Sequence, residues 1–219
     1  MKHSYREMPG SLMGSYADFS RAFGFSWKEF VMTVPSPLFL VTTYKANGLP
    51  NACMQSWSVF TSADGGNGYY AILASVNKNG HLYRSLKEKQ AAVINFMSAD
   101  SYGSCMATIR NNLYEADEIR ASGLTPSPAL WVDAPLVEEC FMNLECVYRW
   151  EKEIVPGDDH VMICLEVIGA HIDDAHLDDK TGDTGLLYNL HYPLNPEKIG
   201  KTARDYAAVL RKKIEGDEY

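Results

Sequence analysis

From residue 38 onward, short runs of apolar and β-branched residues alternate with clusters of Gly, Asn, Asp and Pro, a pattern that predicts a mainly β fold. Leu38 to Tyr44 reads as the first strand. Asn47-Gly48 predicts a hairpin, because both residues tolerate positive φ, and Ala52 to Phe60 returns as the partner strand. Asp64-Gly65-Gly66-Asn67-Gly68 is a turn, and Tyr69 to Val76 is a third strand, apolar almost throughout. Asn77-Lys78-Asn79-Gly80 breaks the run. His81 to Lys89 has helical character, and Ala91 to Met97 is a fourth strand.

The second half carries cleaner alternation. Leu144, Cys146, Tyr148 and Trp150 share one face, with Asn143, Glu145, Arg149 and Glu151 on the other. Val161, Ile163, Leu165 and Val167 alternate with His160, Met162, Cys164 and Glu166. Joined through Pro156-Gly157-Asp158, these runs predict a long antiparallel hairpin. Residues 101–131 read as a helical insertion between strands. Short helices are expected over 101–109 and 115–121, Gly123 is a stop for the second, and Thr125-Pro126-Ser127-Pro128 forms a loop. The insertion is too short to bury a core of its own. An N-terminal arm (1–35) holds one or two short helices between Tyr16 and Met32. A last strand spans Leu186 to His191, and an amphipathic helix spans Thr202 to Ile214 within the tail 192–219. About six or seven short strands favour a closed barrel, because closure removes sheet edges. The 219 residues are read as a single domain.

Composition narrows the function classes. A net charge of −8 argues against a nucleic-acid binder. No run reaches the ~20 apolar residues of a membrane span, and the N-terminus lacks a signal-peptide core. A cytoplasmic location is the default expectation. Cys53, Cys105, Cys140, Cys146 and Cys164 are scattered as free thiols are, and no Cys/His spacing matches a compact zinc site, so no metal is expected.

Three segments could carry chemistry. Asn51-Ala52-Cys53-Met54-Gln55-Ser56-Trp57-Ser58 is small and polar where a strand is usually bulky, which would let a flat ligand approach the backbone. An ordinary barrel strand with a polar face gives the same pattern. Asn77-Lys78-Asn79-Gly80-His81-Leu82-Tyr83-Arg84 hands a strand over to a helix, and a helix start with Lys78, His81 and Arg84 suits a phosphate. A capped surface turn is the rival explanation. Glu145 and Glu166 face each other if the hairpin folds about residue 155 or 156, and paired carboxylates can act as acid and base. A solvated face with an intervening Arg or Lys is the commoner reason for such a pair. No Gly-x-Gly-x-x-Gly, Walker or Gly-x-Ser-x-Gly motif is present, so no Rossmann site is indicated.

The ordered set of motifs resembles the flavin reductase-like, FMN-binding split-barrel family, in its flavoredoxin-type branch. The residues that carry this are Pro37 to Tyr44, Asn47 to Ala52, Lys78-Asn79-Gly80-His81, Ala92 to Phe96, Asn143-Leu144-Glu145-Cys146, Gly157-Asp158-Asp159-His160 and Leu165-Glu166-Val167. The resemblance implies a six-stranded antiparallel Greek-key split β-barrel with short flanking helices, working as a homodimer with FMN at the interface. It implies that Asn51, Ala52, Cys53, Ser56 and Trp57 line the flavin, and that Lys78, His81 and Tyr83 serve its phosphate. His160 matches a position that in relatives lies near the flavin or the nicotinamide, and is the candidate catalytic residue. Leu82 stands where many relatives carry Thr. The implied activity is hydride transfer from NAD(P)H to flavin. An FMN electron carrier trading electrons with a redox protein partner is the alternative, and a barrel binding haem or another ligand is a third.

Overall fold

The computed structural model describes residues 2–12, 26–177, 185–191 and 206–210. The chain divides into two compact units, residues 37–187 with 209–219 and residues 1–36 with 188–208.

The larger unit is built on one antiparallel sheet. Its strands are β2 (Phe39–Tyr44), β3 (Pro50–Gln55), β4 (Ser58–Ala63), β5 (Gly68–Asn77), β6 (Ala91–Met97), β9 (Cys140–Glu153) and β10 (His160–Ile172). They pair in the order β3-β2-β6-β9-β10-β5-β4. The segment expected as one strand over 52–60 is divided at Ser56-Trp57: β3 pairs with β2, and β4 pairs with β5. The two ends of the sheet are therefore consecutive in sequence, and a two-residue link joins them into a barrel with a split. Counted with that strand undivided, the barrel has the expected six strands. β6 lies beside β2 after a long connection through α1 (His81–Lys89), which makes the Greek key.

The sequence explains the central pieces. β6 is covered on both faces and buried along its whole length, which is why it reads as a continuous apolar run. Its one amide, Asn95, is fully used: Nδ2 donates to the Leu40 and Val93 carbonyls and to Thr42 Oγ1, while Oδ1 accepts from Val137 N–H and from Asn143 Nδ2. Asn95 and Asn143 sit opposite each other in the β6–β9 ladder, so these two motif residues build the barrel. Phe39, Phe60 and Phe96 meet in the core with ring centroids 5.5–5.6 Å apart. α1 buries Leu82, Ser85 and Leu86, one helical face, and ends at Gln90 in the left-handed region.

Several expectations are corrected. The long hairpin runs further than read, to Cys140–Glu153 and His160–Ile172. The insertion keeps two short helices, α2 (Tyr102–Ala107) and α3 (Glu118–Ala121), but its Thr-Pro-Ser-Pro loop is strand β7 (Pro126–Pro128), paired with β8 (Pro135–Val137).

In the smaller unit the described pieces are the 3-10 turns Gly10–Leu12 and Trp27–Phe30, together with most of a three-stranded sheet of β1 (Ser36–Pro37), β11 (Leu187–His191) and β12 (Tyr206–Val209). Helix was expected over 202–214. Residues 206–209 are instead a strand, and the rest of that segment lies outside the described residues. Most of the 16–32 stretch expected to hold short helices also lies outside them, while Phe30 is buried. Among the described residues, no helix is long and apolar enough to cross a membrane.

Candidate functional site

β3 is an edge strand, so its outward N–H groups need acceptors from elsewhere. Ala52 N–H donates to Glu118 Oε2 at 3.1 Å. Glu118 reaches it from α3 of the insertion and is wholly buried. Its other oxygen, Oε1, takes Lys45 Nζ at 3.0 Å and lies 3.2 Å from His81 Nδ1 at the start of α1. Lys45 is equally buried. Its remaining protons go to the Leu113 carbonyl (2.8 Å) and the Ala116 carbonyl (2.7 Å), which completes the ammonium's three donors. A buried ion pair repays desolvation only when its geometry and secondary hydrogen bonds are this complete. Tyr114 closes the cluster, its ring 5.8 Å from that of His81 and 5.9 Å from Lys45 Nζ.

The hairpin turn, the strand edge, the insertion and the helix start thus meet at one carboxylate. The link brings Ala52 and His81, two of the sequence-derived candidates, to within the width of that group. Lys45 and Glu118 were missed. They are 73 residues apart, and nothing local distinguishes either from a solvated surface charge.

The other candidates fall into separate clusters. Asn51 is buried and donates to Thr43 Oγ1 at 3.4 Å. Gln55 Nε2 donates to Cys53 Sγ at 3.4 Å. Ser56 is buried and Trp57 half-buried in the β3–β4 link, where the Trp57 carbonyl accepts from Ala74 N–H at 2.8 Å. Lys78 is stitched to the tip of the β9–β10 hairpin: Nζ pairs with Glu153 and donates to the Asp158 carbonyl at 2.7 Å, and its N–H donates to Asp159. The hydrogen bond with Glu153 holds the Lys78 ammonium above its ordinary pKa. His160 is at the same tip, opposite Asn77, with Nδ1 3.2 Å from Asp158 Oδ1.

Tyr83 lies elsewhere. Two helical positions from His81, it points about 200° around the helix, and its hydroxyl donates to Glu151 Oε1 at 3.0 Å. Burial, then the Glu151 contact, pushes its phenol up. The structure therefore does not gather Lys78, His81 and Tyr83 around one point.

The Glu145–Glu166 pair is corrected outright. The hairpin turns about residue 157, since Val161 lies opposite Glu153, and not about 155 or 156; the two register shifts along the ladder offset each other, so Glu166 faces Val147 and Glu145 faces Gly169. Glu166 forms an ion pair with Arg149. Glu145 is buried and accepts from the N–H groups of Leu130 (2.7 Å), Trp131 (2.7 Å) and Val132 (3.0 Å), with His171 Nε2 at 2.7 Å. It fastens the loop after β7 and has no acid–base partner carboxylate.

Gly80 caps α1 without a side-chain acceptor, so no side chain from the cap satisfies the first-turn N–H groups. Among the described residues, no group of three or more His, Cys, Asp or Glu is placed to hold a metal ion.

The fold is a β-barrel split between consecutive strands, with the start of α1 beside one edge of the split, and the comparisons with known proteins specify its family. The flavin reductase like domain matches residues 31–193, and the chain belongs to that family. Flavoredoxin of Desulfovibrio vulgaris (Miyazaki F) is 23% identical, with 83% of this chain and 91% of that chain covered at a TM-score of 0.66. A protein with a split barrel domain from Shewanella frigidimarina NCIMB 400 is 15% identical over 97% of this chain and 100% of its own, with a TM-score of 0.69. An FMN-binding domain of a flavin reductases-like enzyme from Shewanella baltica OS155 is 17% identical, with 83% and 90% covered and a TM-score of 0.63. At these identities the structural likenesses establish the fold. The chain is a flavin reductase-like protein with the split-barrel architecture.

Proposed function

We propose that this protein is an FMN-dependent oxidoreductase that takes hydride from NAD(P)H, works in the cytoplasm, and holds its flavin at the interface of a homodimer. The observation that carries the reading is the convergence of the β3 edge and the start of α1 on Glu118, which sets a backbone platform beside a helix N-terminus. In this reading Asn51, Ala52, Cys53, Ser56 and Trp57 border the ring and ribityl chain. The first turn of α1 and His81 meet the phosphate, with Lys78 and His160 at the neighbouring hairpin tip.

The residues fit such a group. The uncapped first turn of α1 supplies donors and a positive dipole end. Lys45 neutralises Glu118, so the carboxylate does not leave a net negative charge against a phosphate. The Ala52 N–H is already committed to Glu118, which leaves packing as its contact with the ring. Tyr83, turned toward Glu151, supports the helix from its far side.

Bound there, FMN would supply the electron chemistry, and the protein's part would be to hold and orient it. The likeness to a flavoredoxin favours a second reading, an electron carrier that retains FMN and exchanges electrons with a protein partner. The absorption spectrum of the purified protein tests the flavin site. Bands at about 375 and about 450 nm, expected of an oxidised flavin cofactor, are the predicted result. A colourless protein that also fails to take up added FMN overturns it. Fast NAD(P)H oxidation with free flavin then supports the reductase, and slow oxidation with retained FMN supports the carrier.

A further inference from the structure

His81 has two ring nitrogens in different situations. Nδ1 lies 3.2 Å from Glu118 Oε1. Nε2 has no hydrogen-bond partner among the described residues, and the side chain is 21% exposed against 0% for Glu118. The two nitrogens diverge across the ring, so a carboxylate that captures Nδ1 turns Nε2 away from itself.

Glu118 is held from every other side. Lys45 donates to Oε1 and Ala52 N–H to Oε2, so the carboxylate cannot follow the imidazole if the ring turns. The titratable and charged groups around His81 are Glu118 and Tyr114 from the insertion and, through the shared Oε1, Lys45 from the hairpin turn. On the approach to its helix, Lys78 is occupied by Glu153 and the Asp158 carbonyl. Arg84, three residues further along α1, is exposed and keeps its charge at every pH tested; His81 is the side chain at the start of α1 that gains its charge only by taking a proton at the open nitrogen.

We infer that Glu118 is a positioning residue: it fixes the Nδ1–H form of His81 and presents Nε2 at the helix start, so that recognition of a flavin phosphate is coupled to a proton on His81. This rests on the flavin reading above. With Nδ1–H directed at Glu118, neutral His81 has only a lone pair at Nε2, which is useless to a phosphate. Taking one proton from solvent at Nε2 converts it to a donor and gives the ring a positive charge. Phosphate binding and proton uptake then favour each other by linkage, and riboflavin, which lacks the phosphate, should not show the effect.

The test measures FMN and riboflavin dissociation constants over about pH 5–8, the range of histidine titration, for wild type, His81→Gln and the double variant Lys45→Met/Glu118→Gln. The double variant removes both charges of the buried pair and keeps the net charge, so Glu118 is probed without stranding a buried lysine. A 15N spectrum of the imidazole reports the tautomer independently of flavin. The expected result is a preference for FMN over riboflavin that grows as pH falls in wild type. It should fall several-fold at low pH in His81→Gln and lose its growth with acid, because the amide keeps a donor but cannot take the charge that strengthens the bond. In the double variant the profile should shift and the neutral ring should become a tautomer mixture. The titration of the FMN phosphate itself is common to all three proteins and cancels in the comparison. Identical pH profiles in all three, or a neutral His81 carrying its proton on Nε2 in wild type, overturn the inference while leaving the flavin site standing. Failure to bind either flavin overturns the flavin reading and this inference with it.

Discussion

At the scale of single residues, buried charge is placed where it ties loops to the barrel. Lys45–Glu118 and His171–Glu145 are two such cases, and in both the carboxylate gathers backbone N–H groups that would otherwise be orphaned. Burial works to raise the Glu145 carboxyl, but His171 and the N–H groups of Leu130 and Trp131 outweigh it, and the net pKa is lowered. A carboxyl whose folded pKa lies below its unfolded one contributes stability that is complete above the unfolded value and fades as pH falls through the folded one. Glu145→Gln should therefore cost about 2 kcal/mol at neutral pH, the scale of leaving buried donors unpaired. The gap to wild type should narrow in acid. Urea midpoints of both proteins at neutral pH and at about pH 3, below the ordinary carboxyl pKa, check this, and a gap independent of pH would contradict it.

At the scale of elements, backbone detail decides what faces what. The Asn47-Gly48 hairpin forms, but only Gly48 takes positive φ (79°), and Lys45 N–H bonds to the Leu49 carbonyl. The loop thus spans residues 46–48, a three-residue hairpin closed by a left-handed glycine. Its geometry leaves Lys45 at the strand end, where it can turn inward. The β9–β10 turn about residue 157 does the corresponding work for Glu145, which it sets opposite Gly169. Gly169 lies beneath the ring of Trp131, which stacks on His171 with centroids 5.3 Å apart, and a Cβ at 169 would collide with that ring. Gly169→Ala should unstack the pair. The ring-current shifts of the His171 protons should vanish in NMR spectra. The cost should be about 1 kcal/mol, at the low end for overpacking because the half-exposed indole can swing into solvent. Unchanged His171 resonances would show that the glycine is not what admits the ring.

At the scale of the whole molecule, the proposed interface site requires two copies. Leu130 and Trp131 stand 71% and 57% exposed, held out by the buried Glu145 carboxylate, and adjacent exposed apolar side chains of this size mark contact surfaces. We expect light scattering during gel filtration to give twice the 24.5 kDa chain mass, with the flavin absorbance in the same peak. A monomer eluting with bound flavin would remove the interface from the proposal and keep the flavin. The formal charge of −8 favours solubility but does not choose between these outcomes.

Much of the fold was legible because its causes are local. Apolar and period-two runs marked the barrel strands, Asn47-Gly48 the first hairpin, and Lys78-Asn79-Gly80 the handover into α1; the first, third and fourth strands and α1 lie within a residue or two of where they are found, while the late hairpin extends up to five residues beyond its alternating run. The division of the second strand at Ser56-Trp57 was not legible, because pairing with two different neighbours leaves no mark on one strand's alternation. The insertion's short β7–β8 ladder was hidden by its prolines, which read as loop. The geometry around the candidate residues was not legible from sequence. A segment singled out by its residue types does not say where its side chains point. Helical geometry sends His81 and Tyr83 to opposite sides, and a hairpin turn one or two residues later than read keeps Glu145 and Glu166 apart. The sequence by itself determined the strands, their turns, the helix start and the family resemblance, since periodicity and turn chemistry act over a few residues. Tertiary structure alone decided that Lys45, Ala52, His81 and Glu118 share one buried point, because only chain closure brings charges 73 residues apart out of water together.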